Sequence, residues 1–100
     1  METQRILLDT VRHCLDMGGK RAKVQRLKLF LRAASMCQAT AEISRKGSNL
    51  FYLSCGACAR LCEDCAHDCD LFPDDANLRR CAETCRHCAE SCEIVRQAAA

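Results

Sequence analysis

Nine of the eleven cysteines of this chain fall between Cys55 and Cys92. They form two runs, CGACARLCEDCAHDC and CAETCRHCAESC, separated by DLFPDDANLRR. Cys55, Cys58, Cys62, Cys65 and Cys69 follow a three-four-three-four spacing, and Cys81, Cys85, Cys88 and Cys92 a four-three-four spacing. This is the rhythm of one buried seam on an α-helix, whereas a strand would repeat every two residues. Thiolates select soft ions, namely Cu(I), Zn(II) or iron–sulfur clusters. Residues four apart on a helix stack one above the other, so Cys58/Cys62, Cys65/Cys69, Cys81/Cys85 and Cys88/Cys92 can each offer two sulfurs to one ion. Cu(I) needs only two or three sulfurs and shares them between neighbouring ions. Four thiolates around a single Zn(II) would leave a buried double negative charge, so zinc is a possible substitute and not the first choice.

The elements that position these thiols follow from the residues between them. Ala, Arg, Glu, Asp, His and Thr fill the gaps and read as a solvated face. Pro73 disfavours helix at Phe72, and Asp74 or Asp75 can cap the next helix. The two runs thus fold into a cysteine-lined hairpin over residues 48–97. Cys69 then faces Cys81, Cys65 faces Cys85, Cys62 faces Cys88, and Cys58 faces Cys92. Upstream, residues 3–17 predict a helix with Thr3 as a possible N-cap. Leu7, Val11 and Cys14 form its seam, and Leu8 and Leu15 widen it. Gly18-Gly19 ends that helix. Residues 20–46 predict a second helix with Leu27, Phe30, Ala34, Cys37 and Ala41 inward. Gly47 stops it. Ser48 or Asn49 caps a third helix running to about Leu71, and a fourth runs from about Asp75 to Gln97, with Ala98-Ala99-Ala100 fraying. Short links between four helices predict an all-α, up-down-up-down bundle, with residues 1–100 as a single domain.

Other chemistries fit these residues less well. Free cysteine is a small hydrophobe and can serve as core filler. That reading suits Cys14 or Cys37 taken singly as well as a ligand role does, and it suits nine thiols on adjoining seams poorly. Spacings of three and four within a helix do not suit disulfide geometry. Iron–sulfur ligands usually sit on loops. The repeated CxxC at Cys55/Cys58, Cys62/Cys65 and Cys85/Cys88 argues against one reactive dithiol. No nucleophile–base–carboxylate set or cofactor loop is visible, so the chain is not read as an enzyme. The net charge is +2, too small to imply nucleic-acid binding. Residues 1–46 carry ten Lys/Arg and four Asp/Glu, while residues 47–100 carry five and nine. The two halves should therefore attract one another on packing. No apolar run is long enough to cross a membrane. The N-terminus lacks a secretory pattern, and a cytoplasmic location follows.

The segments GSNLFYLSCGACARLCEDCAHDC and CAETCRHCAESC resemble the four-helix-bundle copper-storage proteins, over roughly residues 33–93. The resemblance implies a bundle core loaded with many Cu(I) ions, with Cys14, Cys37, Cys55, Cys58, Cys62, Cys65, Cys69, Cys81, Cys85, Cys88 and Cys92 as candidate ligands. It implies kinship with the cytosolic branch of the family and, with it, a homo-oligomer, specifically a tetramer. Cys37 matches the second cysteine of a family CxxxC pair whose first position here is Ala33. The first helix keeps only Cys14, and Leu78 stands where a further cysteine often begins the fourth helix. Family histidines and methionines near one end help copper in. His13 lies near the end that holds Phe72-Pro73, and Met17 is either a mouth ligand or core filler. Met36 reads as packing, His67 and His87 as surface histidines, and Lys20, Arg21, Lys23, Arg26, Lys28 and Arg32 as a solvated face. The alternatives to copper storage are a structural or interaction bundle with residual thiols, and a thiol redox buffer.

Overall fold

The computed structural model describes residues 2–47 and 49–98. Its helices are α1 (Glu2–Met17), α2 (Val24–Lys46), α3 (Leu50–Cys69) and α4 (Ala76–Ala98). There is no strand among the described residues. Each helix packs on its neighbour in sequence, and α1 closes the ring against α4. The result is an up-down-up-down four-helix bundle measuring 42 × 20 × 20 Å, about two helix diameters across in each short direction.

The ends of the helices follow local chemistry. Gly47 caps α2 in the left-handed conformation, φ 67°, and its N–H bonds to Ser44 O, as a glycine C-cap should. Asp75 caps α4: its Oδ1 accepts from the backbone N–H of Asn77 (3.0 Å) and Leu78 (3.2 Å). Ser48, one of the two expected caps of α3, lies outside the described residues, as do Ala99 and Ala100. α4 extends through Ala98, one residue beyond the expected Gln97. Asn49 has a helical backbone and makes no side-chain cap bond, so it is not the cap. Thr3 is likewise no cap, because α1 already begins at Glu2 and Thr3 is buried within its first turn.

Two helix boundaries differ from the sequence-based expectation. The second helix does not begin at residue 20. Gly18 and Gly19 take positive φ, a 3₁₀ turn covers Gly19–Ala22, and Lys23 is extended before α2 starts. This turn carries Arg21 across the bundle end. α3 stops at Cys69, because the chain then tightens into three-residue hydrogen bonds, Leu71 N–H to Asp68 O and Phe72 N–H to Cys69 O. Pro73 keeps Phe72 from continuing an α-helix.

The core is small-residue and sulfur-rich. Phe30, Leu7 and Leu78 are its largest fully buried side chains, and every cysteine is buried. Four of the five alanines within the two cysteine runs leave the solvated face that the sequence suggested, while Ala57 stays exposed. Ala59, Ala66, Ala82 and Ala89 are buried, each directly after a seam cysteine, where a methyl group lets α3 and α4 approach closely. The apolar stripe of α1 is narrower than expected. Ile6, Leu7, Thr10 and Cys14 are buried, but Leu8 and Leu15 are 44% and 57% exposed, since α1 packs only on α2, α4 and the short 3₁₀ turn.

The two oppositely charged halves meet at the end that holds the α3–α4 turn. Arg26 pairs with Asp68 and Arg21 with Asp75, to which His13 adds a hydrogen bond. Arg21 and Arg26 also lie over the Phe72 ring, each 4.7 Å from its centroid, a cation–π arrangement on both guanidinium groups. So these two arginines are structural, unlike the solvated face read from the sequence. The Asp75 side chain is 6% exposed. Burial opposes its charge, but hydrogen bonds from His13, the Leu78 N–H and Arg21 win and lower its pKa to about 2. A carboxylate depressed in the folded state stabilises the fold above its unfolded pKa, and that contribution fades as pH falls from about 4 towards 2. Asp75→Asn, which keeps a capping oxygen and loses the charge, should cost about 2 kcal/mol at neutral pH. Urea unfolding should show that deficit at pH 7 and should show it vanishing near pH 2.

Candidate metal centre

α3 and α4 set their seams against each other, and the expected thiol ladder forms. Cys69 meets Cys81, Cys65 meets Cys85, Cys62 meets Cys88, and Cys58 meets Cys92. The rungs also join diagonally, with Cys58 Sγ 3.9 Å from Cys88 Sγ. All eleven cysteines are free thiols.

Cys37 is more central than its sequence position suggested. It lacks a partner one turn earlier on α2, where Ala33 is fully buried. Yet its Sγ lies 3.6 Å from Cys58 Sγ and 3.8 Å from Cys62 Sγ. The sulfurs of Cys37, Cys58, Cys62 and Cys88 all lie within 4.8 Å of one another. Metal–sulfur bonds of about 2.3 Å place sulfurs about 3.8 Å apart around a tetrahedral ion and about 4.0 Å apart around a trigonal one. The four thiols therefore already stand near the spacing that a soft ion demands. Three helices contribute, and the sequence could not reveal this, because α2 reaches the hairpin only through tertiary packing.

Cys14 is buried near the opposite end of the ladder, where the charges of Arg26, Asp75, Cys81 and Asp68 bear on it. The surrounding residues offer it little help as ligands. Asn77 Nδ2 donates to His13 Nδ1 (2.9 Å), which leaves the proton on Nε2 to donate to Asp75 Oδ2 (2.8 Å). Both ring nitrogens of His13 are thus engaged. Met17 is 54% exposed, which removes it from the core. Met36 is half-buried and takes a contact from Ser54 Oγ, in keeping with packing. His67 and His87 are exposed.

Burial shapes the acidity of these thiols. Desolvation raises Cys14 and Cys55. Cys69 is raised by its contact with Cys81 and then by burial, and Cys92 by its contacts with Cys58 and Cys88 and then by burial. Cys81 and Cys88 move the other way: contacts from Cys69 and Cys85 lower Cys81, and contacts from Cys37, Cys58, Cys62 and Cys92 lower Cys88. A cationic soft ion supplies the positive charge that the rest of the core lacks.

A thiol-cored four-helix bundle with a pre-gathered sulfur group is the class of protein that fold and site define. The sequence profile of the copper storage protein family matches residues 5–97, and the chain belongs to that family. Among solved structures, the Nmul_A1745 protein from Nitrosospira multiformis is similar over 96% of this chain and 86% of that one, with 32% identity and a TM-score of 0.87. A search of curated proteins found no significant match.

Proposed function

We propose that this protein stores and sequesters Cu(I) on the thiolates that line its core, with all eleven cysteines as ligands or near neighbours of ligands. The observation that carries the reading is the four-sulfur group of Cys37, Cys58, Cys62 and Cys88 set within a continuous ladder. A chain of sulfurs at these separations lets neighbouring ions share thiolates, so charge is neutralised ion by ion in a dry core. Zn(II) could substitute at this group, since four sulfurs suit its tetrahedron, but the rest of the ladder favours the lower-coordinate ion. The role is binding and not catalysis.

The reading extends to the whole chain as one bundle domain acting in the reducing cytosol. Among the described residues no helix is long and apolar enough to cross a membrane. The thiols would stay reduced there, as Cu(I) storage requires. A homo-oligomer, a tetramer by family likeness, is supported by large apolar side chains left in solvent, among them Leu15, Leu53, Leu71 and Ile94. Nucleic acid is not a partner in this reading, because key cations of the basic half, Arg21 and Arg26, are committed to Asp75 and Asp68.

Anaerobic Cu(I) titration against a competing chelator tests the proposal. We expect roughly half to one tightly held Cu(I) per clustered thiol, since each ion needs two or three shared sulfurs. Tight binding of a single equivalent would point to a chaperone or a vestigial site. Because each ion displaces thiol protons, affinity should weaken as pH is lowered.

A further inference from the structure

The bundle has two ends, and they differ in how they cover the thiols. At the α3–α4 turn, Phe72 lies beneath Arg21 and Arg26, which are held by Asp75 and Asp68, and His13 is bound on both ring nitrogens. Near that end Cys14, Cys69, Cys81 and Cys85 are at most 2% exposed. The other end is built differently. The start of α1, the end of α2, the start of α3 and the C-terminal half of α4 leave a groove of about 530 Å³. Cys55, Cys88 and Cys92 line it, with Thr84, His87 and Ser91 along its α4 side. Cys88 and Cys92 are 9% and 8% exposed, whereas none of the other nine thiols exceeds 2%.

We propose that Cu(I) reaches the core through this groove, delivered by a small thiol carrier, with Cys92 and Cys88 as the first acceptors. This rests on the Cu(I)-storage reading and names the route that serves it. The groove volume lies within the range of small-molecule sites, so a peptide-sized thiol complex fits. Transfer is a ligand exchange without change of oxidation state. Two copper–sulfur bonds to the carrier break and two to Cys92 and Cys88 form. The protons lost by Cys92 and Cys88 pass, directly or through solvent, to the released carrier thiolates. From Cys88 the next sulfur is Cys58 at 3.9 Å, and Cys37 is a further 3.6 Å on. Each step thus adds an incoming sulfur before the outgoing one is lost. The port sits directly against the four-sulfur group and at the end away from His13.

Two measurements test the route. In the reduced, metal-free protein, peptide mapping after limited N-ethylmaleimide treatment should find Cys92 and Cys88 modified about tenfold or more ahead of Cys69, Cys81 and Cys14. In the second, Cu(I) is supplied as its glutathione complex under anaerobic conditions. Filling the groove with Thr84→Phe and Ser91→Trp should slow uptake by about tenfold or more while leaving the final number of equivalents unchanged. Arg79→Trp is the control, placed in a depression beside Cys69 at the other end, and should load at the parental rate. Should the double variant lose helicity, His87→Trp at the exposed rim carries the same test. Labelling that begins at Cys69 or Cys14, a filled groove that loads as fast as the parent, or slowing by Arg79→Trp would each overturn the route. If the parent protein takes up no Cu(I), the storage reading falls, and the labelling order still decides where the core opens.

Discussion

Replacing Cys37, Cys58, Cys62 and Cys88 by alanine should reduce Cu(I) loading by more than the four-in-eleven share of thiols removed. These four form the only group of mutually close ligands found among the described residues. Their loss also splits the ladder, leaving Cys65, Cys69, Cys81 and Cys85 on one side and Cys55 and Cys92 on the other. Ions that shared sulfurs across the break lose a second or third ligand, and two is the minimum for Cu(I). Cys37→Ala alone should weaken binding at the centre, where its sulfur touches two others, without abolishing it, because Cys58, Cys62 and Cys88 still offer three close sulfurs. Cys14→Ala should matter less. Each change also removes a sulfur from a close-packed core, costing about 1 kcal/mol, as for a methyl-sized group. Circular dichroism beside each titration separates lost ligands from lost fold. A four-alanine variant that stays helical and binds as much Cu(I) as the parent would reduce the sulfurs to core filler.

Phe30→Ala should be the most destabilising single substitution outside the thiols. Phe30 is fully buried and is the largest such side chain. It sits on α2, in the half of the core where cysteines are scarce. Removing a buried phenylalanine costs about 3–5 kcal/mol, the transfer free energy plus the cavity left behind. A bundle of this size has about 5–15 kcal/mol in all, so urea unfolding of the metal-free variant should shift its midpoint sharply downward. Ions that bind only the folded chain add stability by mass action. Cu(I)-loaded Phe30→Ala should therefore recover much of the parental midpoint. A variant that is unaffected when metal-free would mean that Phe30 does not anchor the first half of the core.

The pattern of cysteines alone determined the hairpin and its register. A spacing of three and four leaves one helical face for nine thiols, and Pro73 with Asp75 turns that face back on itself. Gly47 marked the end of α2 for a backbone reason that needs no tertiary partner. The start of α2 was not legible in this way. Arg21 and Arg26 look like solvated charges in sequence, and only the folded bundle brings Phe72, Asp68 and Asp75 beneath them. Leu8 and Leu15 continue an apolar pattern that the bundle leaves uncovered. The role of Cys37 was also decided by tertiary structure. Periodicity reports which face of its own helix a residue occupies, but not which residue of another helix it will meet. The crossing of α2 over α3 supplies that second coordinate and turns an isolated thiol into the centre of a four-sulfur group. The groove beside Cys88 and Cys92 has the same origin, because an opening is set by how four helix ends diverge, and no single stretch of chain encodes it.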